Sequence, residues 1–138
     1  MYALADTQKL LLIATTSGEE VGLHYREPTT QEMHHYQAES VQRIRNKIQF
    51  RHSEAQMKFG NAILEGIRDG DFGVPGPDGK LVPISSDPAS PQYRKDWKDL
   101  LNQYAPAVVI ALGQYVFGGT EALAGEGKED EAEPFGKN

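Results

Sequence analysis

Between Asp69 and Pro91 the chain carries four glycines (Gly70, Gly73, Gly76, Gly79) and five prolines (Pro75, Pro77, Pro83, Pro88, Pro91). No helix survives such a stretch. Proline removes an amide donor and clashes with the preceding turn, and glycine costs about 1 kcal/mol relative to alanine in a helix. The segment reads as a connector built of turns. Leu81, Val82 and Ile84 supply one short strand after a turn at Pro77-Asp78-Gly79. Regular elements must form on either side of it.

On the N-terminal side, Leu10–Ala14 is apolar and runs into the β-branched pair Thr15-Thr16. Val21, Leu23 and Tyr25 then alternate with Gly22, His24 and Arg26, the period of a half-buried strand. The polar turn Ser17-Gly18-Glu19-Glu20 joins the two runs into a β-hairpin. Pro28 stops the second strand, and Thr29-Thr30-Gln31-Glu32 forms a capping box that opens a helix. Met33, Tyr36, Val41, Ile44 and Ile48 follow at helical spacing. A second box, Ser53-Glu54-Ala55-Gln56, precedes Phe59, Ile63 and Ile67, and Asp69-Gly70 supplies a stop. The pattern predicts two helices between about 30 and 69, broken near Phe50–Ser53, with one long helix as the alternative.

On the C-terminal side, Ser90-Pro91 reads as a helix start. Tyr93, Trp97, Leu100, Leu101 and Tyr104 form an apolar stripe, and Ala105-Pro106 restarts the chain. Ala107–Phe117 is apolar nearly all round, as in a central core helix or a self-association interface, and Gly118-Gly119 ends it. The fold class expected is α+β, mainly α: an N-terminal hairpin, about four helices and a disordered acidic tail. One compact domain spans 1–119 and the tail spans 120–138.

The tail carries Glu121, Glu126, Glu129, Asp130, Glu131 and Glu133 against Lys128 and Lys137, most of the chain's net charge of −6. With only Leu123 and Phe135 as large apolar residues, it cannot offset its ordering entropy by burial. It serves solubility, or binds a partner through Phe135. The opposite charge is concentrated at Arg43, Arg45, Lys47, Arg51 and His52, a run without an acid. That run reads as a solvated helix face or as a patch for an acidic surface. Four or so cations on a −6 protein argue against nucleic acid as the main partner.

Motifs that carry chemistry are missing from the sequence. His34-His35 are adjacent, so on a helix they diverge by about 100° and cannot share one ion. A calcium loop starting at Asp69 would place Gly73 and Lys80 where oxygen ligands belong. Asp71-Phe72-Gly73 matches a kinase tripeptide without any of its companion motifs. Ser17 and Ser85 lack a nucleophile elbow, and there is no phosphate-binding or dinucleotide fingerprint. With no cysteine, thiolate sites and disulfides are excluded. The longest apolar runs are far short of the roughly 20 residues that cross a bilayer, and no basic region precedes the first of them, as a signal peptide requires. The expectation is a non-enzyme with no metal and no cofactor, acting through protein–protein contacts.

Two segments carry a family resemblance. Tyr25-Arg26-Glu27-Pro28-Thr29-Thr30 resembles the strand-to-helix entry of small prophage tail proteins. So does Asp87–Leu101, with its continuation Ala111–Phe117 and Gly118. Together they resemble the tail assembly chaperones of long-tailed phages, encoded between the tail tube and tape measure genes. The resemblance implies a cytoplasmic protein of the bacterial host that binds the tape measure protein and keeps it soluble while tube subunits polymerise. The alternative is a structural or accessory subunit of the tail or head–tail junction; a nucleic-acid-binding regulator ranks below both. The family has no catalytic residues to carry over. On physical grounds the candidate partner-binding residues are Trp97, Leu101, Tyr104, Val108, Leu112, Tyr115 and Phe117, since aromatic anchors are enriched at interfaces. A core role for most of them is the competing reading.

Overall fold

The computed structural model describes residues 8–118. The acidic tail expected at 120–138 lies outside the described residues. The order of elements is β1 (Lys9–Ala14), β2 (Glu20–Tyr25), α1 (Thr30–Ser40), β3 (Val41–Ile44), β4 (Lys47–Phe50), α2 (His52–Ile63), β5 (Leu64–Ile67), β6 (Gly73–Pro75), β7 (Leu81–Pro83), α3 (Trp97–Tyr104) and α4 (Pro106–Gly113). A π-helical turn at Gln114–Gly118 continues α4.

The fold is α+β but not mainly α. Helix accounts for 40% and strand for 29% of the described residues, and the strands form three small sheets. The error lies chiefly in residues 41–50. Val41, Ile44 and Ile48 fit helical spacing, yet α1 ends at Ser40 and the chain turns into an antiparallel hairpin. Arg45 and Asn46 form its two-residue turn, both with positive φ (53° and 65°). A further strand, β5, replaces the last helical turn expected up to Asp69. Gly70 (φ 86°) therefore serves a turn after a strand rather than a helix stop. The helix start expected at Ser90-Pro91 is a series of turns instead, and α3 begins at Trp97. Likewise α2 opens at His52, so Ser53 is inside the helix and does not cap it.

Other local readings hold. Thr29 Oγ1 accepts from the Glu32 amide (3.1 Å), while the Glu32 carboxylate accepts from the Thr29 amide (2.9 Å). β1 and β2 pair from Lys9↔Tyr25 to Ala14↔Glu20, and the expected turn at Pro77-Asp78-Gly79 separates β6 from β7. Among the described residues no single helix is long and apolar enough to cross a membrane.

The chain divides into two compact units. The first comprises Met1–Glu27 and Asn61–Val109, the second Pro28–Gly60 and Ile110–Asn138. In the first unit β2 is the middle strand of the antiparallel sheet β1-β2-β5, which is why Val21, Leu23 and Tyr25 are buried. Where β5 has run out, the Asp71 carboxylate takes over as acceptor for the Gly22 amide (2.6 Å) and is itself held by Arg68 (2.7 Å). Ile63, Leu64, Ile67, Ile84, Leu101, Val108 and Val109 complete this unit's buried apolar residues.

The second unit is organised by three aromatic rings. Tyr36 of α1 stacks on Phe117 (5.0 Å between centroids) and meets Phe59 of α2 edge-on (5.9 Å), while Phe59 and Phe117 lie 5.7 Å apart. Such pairs add about 0.5–1.5 kcal/mol each beyond their buried area. Leu112 and Ala55 are buried in the same unit.

Candidate functional site

Two features of the first unit place α3. Lys98 donates to the carbonyls of Asn61 (3.1 Å) and Leu64 (2.9 Å), and Arg26 donates to the carbonyl of Ala62 (3.0 Å). Together they satisfy the Asn61 and Ala62 carbonyls in the last turn of α2, which have no partner within the helix, and the Leu64 carbonyl at the start of β5. Burial holds the Lys98 ammonium below the ordinary lysine range; Glu65 opposes this and Arg26 adds to it. One turn further along α3, Asn102 and Asn61 exchange two amide hydrogen bonds, each 2.7 Å. These polar contacts occupy one side of α3.

The apolar stripe Trp97, Leu100, Leu101 and Tyr104, at spacing i, i+3, i+4 and i+7, is left for another side. It lines an open groove of about 530 Å³, with Phe72, Val74, Pro75 and Ile84 from the β6–β7 region among the other lining residues. Ser85 links the two walls: its amide donates to the carbonyl of Gln92 (2.9 Å), and its carbonyl accepts from the Arg94 amide (3.0 Å). The Ser85 hydroxyl donates to Asp69 (2.7 Å), so this serine is fully engaged in structure. The β6–β7 hairpin is closed by Gly79 at φ 82°, and its Leu81 and Val82 remain exposed.

Arg94 is the groove's one charged lining residue, and Asp96 pairs with it (3.0 Å). That hydrogen bond holds the Asp96 carboxyl below its ordinary range. The lining has no carboxylate, imidazole or aliphatic hydroxyl. What it offers a partner is apolar area with aromatic anchors, the composition of a helix-binding groove.

The seven residues singled out from the sequence separate into three groups. Trp97, Leu101 and Tyr104 share the groove; Trp97 is half-buried, Leu101 buried and Tyr104 75% exposed. Val108, Leu112 and Phe117 are buried, so they have little or no surface to give a partner. Tyr115 is exposed on the second unit and lines neither of the two cavities described here. The second wall was missed. Phe72 and Val74 alternate as in a strand, a two-residue signal obscured by the surrounding glycines and prolines.

A second, polar cavity of about 420 Å³ is lined by residues that include His24, Glu65, Asp69, Ser86 and Asp87. Among the described residues no three histidine, aspartate or glutamate side chains are placed to hold a metal ion. His34 and His35 are both exposed on α1. Of the basic run, Arg43, Arg45 and Lys47 sit on the β3–β4 hairpin rather than on a helix, Arg51 follows β4, and His52 opens α2.

No known family model, curated protein or solved structure matches this chain.

Proposed function

We propose that the chain is a non-catalytic phage tail assembly chaperone that binds apolar helical segments of the tape measure protein in the bacterial cytoplasm. The observation that carries this reading is the groove along α3. Its lining is apolar apart from one paired arginine, the Trp97 indole N–H and the Tyr104 hydroxyl, and it holds an exposed tyrosine and a half-buried tryptophan at the two ends of α3. An amphipathic helix seats side chains at i, i+3 or i+4 and i+7 in such a groove. The partner in this reading is a long helical protein whose apolar stripe would aggregate if left uncovered. Hot spots of this kind contribute about 2 kcal/mol or more each.

The test is co-expression with the tape measure protein encoded beside the tail tube gene of the same genome. The chain should keep that protein in the soluble fraction and purify with it. Leu100→Asp combined with Tyr104→Asp should abolish both effects while the variant itself remains folded. Tape measure protein that aggregates equally with and without the chain would refute the reading. Recovery of the chain from finished particles would favour a structural tail subunit instead.

A further inference from the structure

The β3–β4 hairpin of the second unit is a two-stranded sheet with little cover. All four residues of β4 are exposed, as are three of the four in β3. Isolated hairpins are marginal in water. This one presents large apolar side chains: Phe50 is 70% exposed and Ile48 55%. The register sets Val41 opposite Phe50 and Arg43 opposite Ile48. Residues in register share a face and alternate residues return to it. One face therefore combines Val41, Ile48 and Phe50 with the Arg43 guanidinium. Lys47 and Ile44 occupy the other face, and Arg45 stands at the turn.

The charge is one-sided. No acid occurs from Val41 to His52. Arg51 at the base is paired with Glu54 (2.6 Å), whereas Arg43, Arg45 and Lys47 make no ion pair among the described residues. The surface thus calls for a ligand that is acidic and carries an apolar anchor.

We propose that this ligand is the chain's own C-terminal segment, residues 120–138, with its carboxylates on Arg43, Arg45 and Lys47 and Phe135 against the Phe50–Ile48 face. Two observations select it over a free partner. The first is complementarity: six acids against two lysines, with a single aromatic residue, Phe135, four positions beyond the Glu129-Asp130-Glu131 run and two beyond Glu133. The second is where the described chain stops. A Cβ at Gly118 would lie 4.0 Å from the side-chain nitrogen Nε2 of Gln56. Gln56 is four residues into α2, about 6 Å from its start at 1.5 Å rise per residue, and α2 begins two residues after β4. The twenty residues from 119 to 138 reach up to about 66–72 Å when extended. A short tether of this kind gives an effective concentration of millimolar order. A free polyanion has no such advantage and meets a chain of net charge −6. The hairpin is then covered in the unoccupied protein by a contact that salt can release.

The chain has no cysteine, so Ala132→Cys gives one attachment point for a spin label in the full-length protein. At low salt, amide resonances of residues 43–50 should lose intensity selectively. Salt at about 1 M, where the Debye length falls to about 3 Å, should restore them. Replacing Arg43, Arg45 and Lys47 by Gln should restore them as well. Should that variant not fold, neutralising the tail by Glu129→Gln, Asp130→Asn, Glu131→Gln and Glu133→Gln is the equivalent test outside the described fold. Intensity loss that is absent, spread evenly over the chain or insensitive to both salt and neutralisation overturns the proposal. So does duplex DNA binding of equal affinity in the intact and tail-neutralised chains, because the hairpin would then be open in both.

Discussion

Gly113 of α4 packs directly on the main chain of Gln56 in α2: a Cβ at position 113 would overlap the Gln56 carbonyl and lie 2.8 Å from its Cα. The glycine is what permits this approach within the second unit. In an open helical position, glycine to alanine is stabilising by about 1 kcal/mol. Here the added methyl meets backbone, which cannot rotate away as a side chain would. Gly113→Ala is therefore expected to destabilise, by at least the roughly 1–3 kcal/mol typical of overpacking. Calorimetry checks it; an unchanged or higher Tm would show that the two helices are free to separate.

The reciprocal amide pair of Asn61 and Asn102 is expected to act as one unit. Removing either partner leaves part-buried amide groups short of hydrogen bonds, at about 1–3 kcal/mol. Asn61→Ala and Asn102→Ala should each lower stability. The double variant should cost less than their sum, because the second deletion removes groups already unpaired. Urea titration of all four proteins gives the coupling, and strict additivity would show that the pair contributes nothing jointly.

Tyr104 separates binding from folding. It is 75% exposed, so Tyr104→Asp should shift stability by no more than about 0.5 kcal/mol, as surface changes do. If the groove holds an apolar helix, the same change should weaken that complex by about 2 kcal/mol, close to thirtyfold. Calorimetric titration with a tape measure peptide is the measurement. Unaltered affinity would place the contact elsewhere on the chain.

Acid should weaken the Arg94–Asp96 pair at the groove rim. The hydrogen bond from Arg94 lowers the Asp96 pKa below its ordinary value of 3.8. A carboxylate depressed in the folded state contributes stability that is complete above the unfolded value and lost as pH falls through the folded one. Asp96→Asn removes that contribution at every pH. The Tm difference between the two proteins should be present at neutral pH, small because the pair is exposed, and should close as pH falls below the ordinary carboxylate range. A difference that persists at the acid end would assign it to packing rather than charge.

The sequence disclosed the parts whose signals are local. Thr29 and Glu32 announce their capping box, and Val21, Leu23 and Tyr25 alternate because one side of β2 is buried. The α3 stripe was equally plain, since Trp97, Leu101 and Tyr104 repeat at helical spacing. What stayed hidden depends on tertiary context. Val41, Ile44 and Ile48 satisfy helical spacing and also fall on two faces of an exposed hairpin, where burial imposes no period. The strand at Leu64–Ile67 reads as helix until β2 is present to pair with it. The groove needed Phe72 and Val74 beside α3, a juxtaposition made by Ser85 hydrogen bonds across a loop that carries no periodic signal.

The turn that hid the β3–β4 hairpin is also where stability is most readily gained. Arg45 and Asn46 have φ values of 53° and 65°, the pattern of a two-residue type I′ turn. Such turns favour Asn-Gly, because asparagine tolerates the left-handed region and glycine has no Cβ to clash there. Arginine has neither advantage, and a left-handed conformation costs an ordinary residue about 1–2 kcal/mol. Arg45→Asn with Asn46→Gly should therefore raise the stability of the hairpin by about 1 kcal/mol, since some of the relief is offset by glycine's greater unfolded-state entropy. The same change removes one of the hairpin's three cations that make no ion pair among the described residues, so the contact with the acidic segment should weaken as the hairpin itself becomes firmer. Hydrogen exchange of the Val41–Phe50 amides reports the first effect, and salt sensitivity of the spin-label broadening reports the second. Faster exchange in the variant would mean that Arg45 holds the turn through its side chain and that backbone conformation is not the limiting factor.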